Sequence, residues 1–319
     1  MRVVTTLPSG TELLASLGID PVGVSHECDF PPRMADRPAI TRSRIDASAS
    51  SDEIDRQVLE AETDAEGVYE IDCETLEELE PDLIVTQGIC DVCAVDAAVV
   101  ERAVDRIEPD PEILSTDPST VGDVLADLRR IGRAVGREEC AERVAGDLAE
   151  RLETVRDRTP DEGPRVAVLD WTDPAMVAGH WIPELVAAAG GEYGMADPGD
   201  RSTPREWAAI REYDPEVLVV APCGFELDQT AENRSNLTDR EGWDELSAVR
   251  DGQVWAMDGH HYVNRPGPRL VDTAERLAEV LDPERFGSPP ESVAVPFPAL
   301  ADLDRRGERQ SAGTVHRPS

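Results

Sequence analysis

The chain reads as an α/β protein of two lobes joined by a helical connector, and three observations predict it. Short apolar runs alternate with helical segments over residues 1–118. A second alternation of the same kind occupies 161–286. Between them, 119–160 carries apolar residues at helical spacing with no strand signal. With 319 residues and 40% hydrophobic content, the chain has material for a core in each lobe.

In the first lobe, 3–6 is a strand, and Pro8-Ser9-Gly10-Thr11-Glu12 opens a helix ended by Gly18. Strands follow at 21–25, 68–72, 83–87 and 112–114. Helices are expected at 51–60, 74–80 and 94–106, and the polar stretch 33–57 is otherwise irregular. The connector has Val121, Val124, Leu128, Ile131 and Val135 on one stripe, a break at Gly136, and Val144, Leu148, Leu152 and Val155 on a second. One unbroken helix over 119–158 would run ~60 Å, too long for a small lobe, so two helices are predicted. In the second lobe, strands are expected at 165–170, 217–221 and 253–257, with helices at 183–189, 205–212, 243–247 and 267–281. Residues 287–319 are rich in Pro, Gly, Ser and Arg without periodicity and predict a disordered tail.

The formal charge is −36, from 67 acidic and 31 basic residues, and every basic residue is Arg. That balance argues against nucleic acid and anionic membrane surfaces as partners. It predicts a protein that works in high salt, as halophilic proteins do, because screening shortens to about 3 Å at 1 M. Met1-Arg2 runs directly into Val3-Val4-Thr5-Thr6 without a signal-length apolar region, and no run reaches the ~18 apolar residues of a membrane span. The expectation is a cytoplasmic protein, or an extracellular or membrane-associated one if the start is mis-assigned.

Two segments carry the sharpest chemistry: Ser25-His26-Glu27-Cys28-Asp29-Phe30-Pro31-Pro32, and Thr86-Gln87-Gly88-Ile89-Cys90-Asp91-Val92-Cys93. Each follows an expected strand, and ligands gather at the carboxyl ends of strands in open parallel sheets. His26, Cys28, Cys90 and Cys93 then approach one cleft as a Cys3His set suited to Zn, and also to Fe or Co. The Cys90-x-x-Cys93 pair has two other readings: a redox dithiol at a helix N-terminus, and a polarisable pocket wall. Cys73, Cys140 and Cys223 read as small buried hydrophobes.

The order Leu7-Pro8-Ser9-Gly10-Thr11-Glu12, Val22-Gly23-Val24-Ser25, Asp29-Phe30-Pro31-Pro32 and Leu79-Glu80-Pro81-Asp82-Leu83-Ile84 resembles the substrate-binding proteins of cobalamin and ferric-siderophore ABC importers. Pro215-Glu216-Val217-Leu218-Val219-Val220 and Arg265-Pro266-Gly267-Pro268-Arg269 agree with it in the second lobe. The resemblance covers about 1–282 and is nearest to the cobalamin-binding type. It implies a class III substrate-binding protein: two Rossmann-like lobes bridged by a long rigid helix, a corrinoid held between them, and no catalysis. Phe30 would pack on the corrin. His260, His261 and Tyr262 would face the ligand after the strand at 253–257, with one imidazole approaching a cobalt or haem iron. Trp171 and Trp181 would stack, and Arg265 and Arg269 would meet ligand carboxylates or amides. Glu74 stands where the family docks on its membrane permease; the matching place in the second lobe is Ala208, with Glu206 two residues away. The expected protein is a monomer that binds cobalamin or another corrinoid. The alternatives are a ferric-siderophore or haem binder of the same fold, and a cytosolic metal- or thiol-dependent protein using the Cys/His site.

Overall fold

The computed structural model describes residues 1–46, 49–63, 68–88, 97–104, 110–160 and 162–302. The chain divides into two compact units, Met1–Arg151 with Pro266–Pro268, and Leu152–Arg265 with Arg269–Ser319.

The first unit contains β1 (Val3–Thr5), α1 (Pro8–Ser16), β2 (Thr41–Ser43), α2 (Ser51–Thr63), β3 (Tyr69–Ile71), α3 (Cys73–Leu79), β4 (Leu83–Gln87), α4 (Ala97–Val104), β5 (Glu112–Thr116) and α5 (Val121–Ala134). The division between units falls within α6 (Glu138–Arg156). Strands β1, β4 and β5 form a parallel sheet in the order β1-β4-β5. β4 is Leu-Ile-Val-Thr-Gln and buried throughout, as a strand covered on both faces must be. The strand expected over 21–25 is reduced to parallel bridges, Val4 to Gly23 and Val24 to Ala39. Gly23 contributes no side chain to a ladder. Its bare backbone instead admits Leu79 of α3, whose Cδ1 would lie 2.4 Å from a Cβ there. Val4, Ile40, Ile71, Leu76, Ile84 and Val100 close the core around that contact. The stretch 33–57, expected to be irregular before its helix, also holds β2, which pairs antiparallel with β3. Three residues are too few for a period to show.

The connector breaks where expected. Thr120 caps α5 in a reciprocal capping box with Asp123, and Val121, Val124, Leu128 and Ile131 bury one face. Gly136 takes φ 64° after α5 and lets the chain turn into α6. Gly132 permits a close approach, since a Cβ there would stand 2.4 Å from that of Ala141 in α6.

The second unit contains β6 (Val166–Thr172), β7 (Ala175–Val177), α7 (Ile182–Ala188), β8 (Thr203–Pro204), α8 (Trp207–Tyr213), β9 (Val217–Val220), α9 (Leu227–Glu232), α10 (Ser235–Thr238), α11 (Ser247–Arg250), β10 (Val254–Met257), α12 (Leu270–Leu281), α13 (Pro283–Phe286) and β11 (Ala294–Pro296). Its sheet runs β11-β10-β9-β6-β7-β8, with β10, β9 and β6 parallel and the outer strands antiparallel. The disordered tail expected from 287 is corrected here for its first part. Trp255 pairs with Pro296 across β10 and β11, and Phe297 is buried with its ring 5.7 Å from that of Trp243. Ala294-Val295-Pro296 is a strand too short to stand out in a Pro-rich run. Residues 303–319 lie outside the described residues.

One local device occurs in both units. α3 ends on Glu80 at φ 41°, followed by Pro81 and β4; α8 ends on Asp214 at φ 45°, followed by Pro215 and β9. A left-handed cap and a proline stop each helix and aim the chain into a buried parallel strand.

Candidate functional site

In the first unit, the segment after Val24 and the segment after β4 leave the same edge of the sheet, because the Val4–Gly23 bridge and the β1–β4 pair are both parallel. That edge is a mesh of neutral hydroxyls. Thr5 and Thr11 meet at 2.5 Å, Thr6 donates to Thr86 at 2.9 Å, and Thr116 donates to the Thr86 carbonyl. Thr41 holds His26 twice, by its backbone N–H (3.1 Å) and its Nδ1 (2.8 Å), and itself donates to Ser25. The ring of Tyr69 lies 5.7 Å away. Burial pulls the His26 pKa below its ordinary value, against a smaller upward pull from the Glu27 carboxylate. Cys28 is buried with Sγ 3.1 Å from the Thr11 hydroxyl.

In the second unit, the loop after β10 is a π-turn, Gly259–Val263, docked on the loop after β9. Gly259 and His260 both donate backbone N–H to the Phe225 carbonyl, at 3.0 and 3.1 Å. A Cβ on Gly259 would stand 2.1 Å from the Pro222 carbonyl oxygen, so only glycine fits. Trp181 Nε1 donates to the Val263 carbonyl (2.9 Å), and Thr273 of α12 to that of Tyr262 (2.7 Å). Asp258 caps the turn. It accepts the His261 backbone N–H at 2.8 Å and lies 2.7 Å from His261 Nδ1. Arg265, itself buried, lies 2.6 Å from His260 Nε2. Guanidinium has no lone pair, so Nε2 of His260 is the acceptor.

Beside this turn, at the end of β6, Asp170 sits in the register shift between Leu169 and Trp171. Its Oδ1 is buried without a hydrogen-bond partner among the described residues. Burial raises its pKa to about 6, opposed in part by the Ser202 hydroxyl.

The expected site residues divide as follows. His26, His260, His261 and Tyr262 are part-buried at the carboxyl edges of their own units, and Phe30 is exposed at 42%. Trp171 is 8% exposed rather than an open stacking face, with its ring 5.2 Å from Phe225 and Nε1 on the Asp173 carbonyl. Trp181 is likewise committed to the π-turn. Arg265 serves His260, and Arg269 lies 5.7 Å from the Tyr262 ring. Of the Cys3His set, Cys90 and Cys93 lie outside the described residues. His26 and Cys28 turn to different hydroxyls, those of Thr41 and Thr11. Among the described residues, no group of three ligand-type side chains includes either of them. Glu74 is exposed in the first turn of α3, and Glu206 is exposed at the N-cap of α8. Thr41, Asp258, Gly259 and Asp170 were not singled out in the sequence. Asp258 had a signal, since an Asp three residues before His261 at a strand end is a capping spacing.

Two α/β units each gather anchored polar side chains at the carboxyl ends of parallel strands. The chain belongs to the periplasmic binding protein family, whose model matches residues 3–260. It is 24% identical over 287 residues to the vitamin B12-binding protein of Vibrio cholerae, covering 88% of each chain. It is 21% identical over 294 residues to an uncharacterized ABC transporter substrate-binding lipoprotein, YvrC, of Bacillus subtilis, covering 89% of this chain and 81% of that one. The crystal structure of the Vibrio cholerae periplasmic vitamin B12-binding protein superposes with a TM-score of 0.63 at 19% identity, over 88% of this chain and 96% of that chain, and shows the shared fold. The cytoplasmic location expected from the first residues is overturned by this membership. The matched family is that of periplasmic binding proteins, and one relative is named a lipoprotein.

Proposed function

We propose that this protein captures a corrinoid, cobalamin foremost, outside the cytoplasm and delivers it to an ABC permease. The observation that carries the reading is the match to the vitamin B12-binding protein over 88% of both chains. The two edges fit that ligand class. A large macrocycle takes an aromatic wall and a few oriented polar groups; the first unit offers Phe30 and His26 on its edge, and the second offers Tyr262, His260 and His261 on its own. A polyanionic chelate would ask for accessible cationic side chains. Here Arg265 is buried against His260, which favours the corrinoid over a ferric siderophore. Glu74, exposed on α3, is the permease-facing acid of the reading. The net charge of −36 fits work in strong salt. No metal of the protein's own is invoked.

Purified protein in molar salt, titrated separately with cobalamin, cobinamide and haem and read by absorbance and equilibrium dialysis, tests the reading. Sub-micromolar, one-to-one uptake of a corrinoid is expected. Uptake of haem with no affinity for either corrinoid would replace it with the haem-binding alternative.

A further inference from the structure

A hydroxyl has one proton and two lone pairs, and Thr41 uses all three inside the first unit. Its proton goes to Ser25 Oγ at 3.1 Å. One lone pair accepts the His26 backbone N–H at 3.1 Å, and the other faces His26 Nδ1 at 2.8 Å. With its proton given to Ser25, Thr41 can only accept from the ring, so Nδ1 carries the imidazole proton. The lone pair of the neutral ring is thereby fixed on Nε2. Thr41 and Ser25 are both buried, which makes abandoning the bond between them costly.

The backbone holds this arrangement in place. Val24 N–H donates to the Pro38 carbonyl (3.0 Å) and Ile40 N–H to the Val24 carbonyl (2.8 Å), which clamps the chain before His26 to the chain entering β2. Thr41 itself pairs with Ile71 across β2 and β3. Burial keeps the imidazole neutral against the smaller pull of the Glu27 carboxylate. Nε2 lies 3.9 Å from Glu27 Oε1, beyond hydrogen-bonding distance, and the His26 side chain keeps 27% of its surface accessible. An accessible lone pair beside a carboxylate accepts an N–H and repels an anion.

We propose that His26 Nε2 accepts a hydrogen bond from a primary carboxamide on the rim of the bound corrinoid and so selects amidated corrinoids over those with a free carboxylate at that place. Thr41 is its positioning residue. This rests on the corrinoid reading above and adds a specificity to it. A carboxamide brings the N–H that the lone pair needs. An ionised carboxylate brings only more lone pairs and a charge that meets Glu27.

The test uses cyanocobalamin and the monocarboxylic acids made from it by hydrolysing one peripheral amide at a time. Each is measured by equilibrium dialysis with the full-length protein at neutral pH, in molar salt that screens the net charge of −36. Wild type should bind one isomer about tenfold or more below the parent, and the others within about threefold. In His26→Gln that gap should shrink to about threefold or less, because the glutamine N–H can donate to the carboxylate. Thr41→Val should shrink it too, and Thr41→Ser should restore it. The imidazole nitrogen shifts in the ligand-free protein read the tautomer directly: a protonated Nδ1 and a bare Nε2 are expected for His26. Equal binding of all the monocarboxylic acids, a gap undiminished in His26→Gln, or a proton on Nε2 of the neutral ring would each overturn the assignment and leave the corrinoid reading standing. If wild type takes up neither cyanocobalamin nor cobinamide, the corrinoid reading fails and the selectivity falls with it.

Discussion

The two units solve the same problem with different oxygen chemistry. In each, a single side-chain oxygen group holds a histidine by both its backbone N–H and its Nδ1. In the first unit that group is the Thr41 hydroxyl, and in the second it is the Asp258 carboxylate. The pattern extends beyond the histidines. The first unit satisfies its carboxyl edge with Thr5, Thr6, Thr11, Thr86 and Thr116, whereas the second buries Asp170 and Asp258. Hydroxyls donate and accept without titrating, so the bonds among these threonines do not themselves depend on pH. Carboxylates fix one tautomer and one polarity, at the cost of desolvation. The first edge is therefore oriented by neutral groups and the second by carboxylates.

The largest test of that contrast is Asp170→Asn. The Asp170 pKa near 6 lies about 2 units above an unfolded aspartate, so the native state binds more protons than the unfolded state between roughly pH 4 and 6. Its penalty is absent below that window, grows through it, and reaches about 3 kcal/mol above it. Asp170→Asn should raise stability by about 2–3 kcal/mol at pH 7 and not at all below pH 4. Urea midpoints across pH measure it, and equal gains at pH 3.5 and 7 would show that the carboxyl is not desolvated. His26 works the other way. Its depressed pKa means that native stability is lost as pH falls through the unfolded value near 6.5.

A middle-sized effect is expected at the glycines that begin the two loops. Gly259→Ala forces a Cβ to 2.1 Å from the Pro222 carbonyl, so the π-turn must move, with about 1–3 kcal/mol lost and corrinoid affinity reduced. Among the described residues, the nearest atom to a Cβ on Gly88 is Ser115 Oγ at 3.6 Å, and Gly88→Ala should stay within about 0.5 kcal/mol. Thermal melts and cobinamide titrations of the two variants, side by side, decide whether the second loop is the more constrained.

The smallest effect separates the two left-handed caps. Glu80→Gly should stabilise by up to about 1 kcal/mol, because glycine adopts φ 41° without strain. Asp214→Gly removes the same strain but also the carboxylate that accepts Ser247 N–H (2.8 Å) and Ser247 Oγ (2.7 Å), so it should be neutral or destabilising. Equal gains in denaturant midpoint at both sites would erase the distinction.

Much of the fold was legible because buried parallel strands announce themselves. Leu83-Ile84-Val85, Val166-Ala167-Val168-Leu169 and Val217-Leu218-Val219-Val220 are continuous apolar runs, and the αL–Pro exits could be read from Pro81 and Pro215. What escaped were elements whose stability comes from partners distant in sequence. β2 exists because β3 pairs with it, and β11 because β10 offers an open edge. The site was legible in position and obscure in chemistry. His26, His260 and His261 lie on the edges where the strand order puts them, but nothing in the sequence says that Cys28 turns to Thr11. That Trp171 and Trp181 spend themselves on packing and on the turn is a matter of side-chain direction, which neither strand nor helix spacing encodes.

The antiparallel partner of β10 also imposes a schedule. Val254-Trp255-Ala256-Met257 emerge from the ribosome about 40 residues before Ala294-Val295-Pro296, an interval of roughly 2–8 s at ordinary elongation speeds. For that time an apolar strand waits with one side unclaimed, a template for any neighbouring chain. Slowing translation across 258–293 would lengthen the wait and should raise the fraction lost to aggregation, while the mature protein would be indistinguishable.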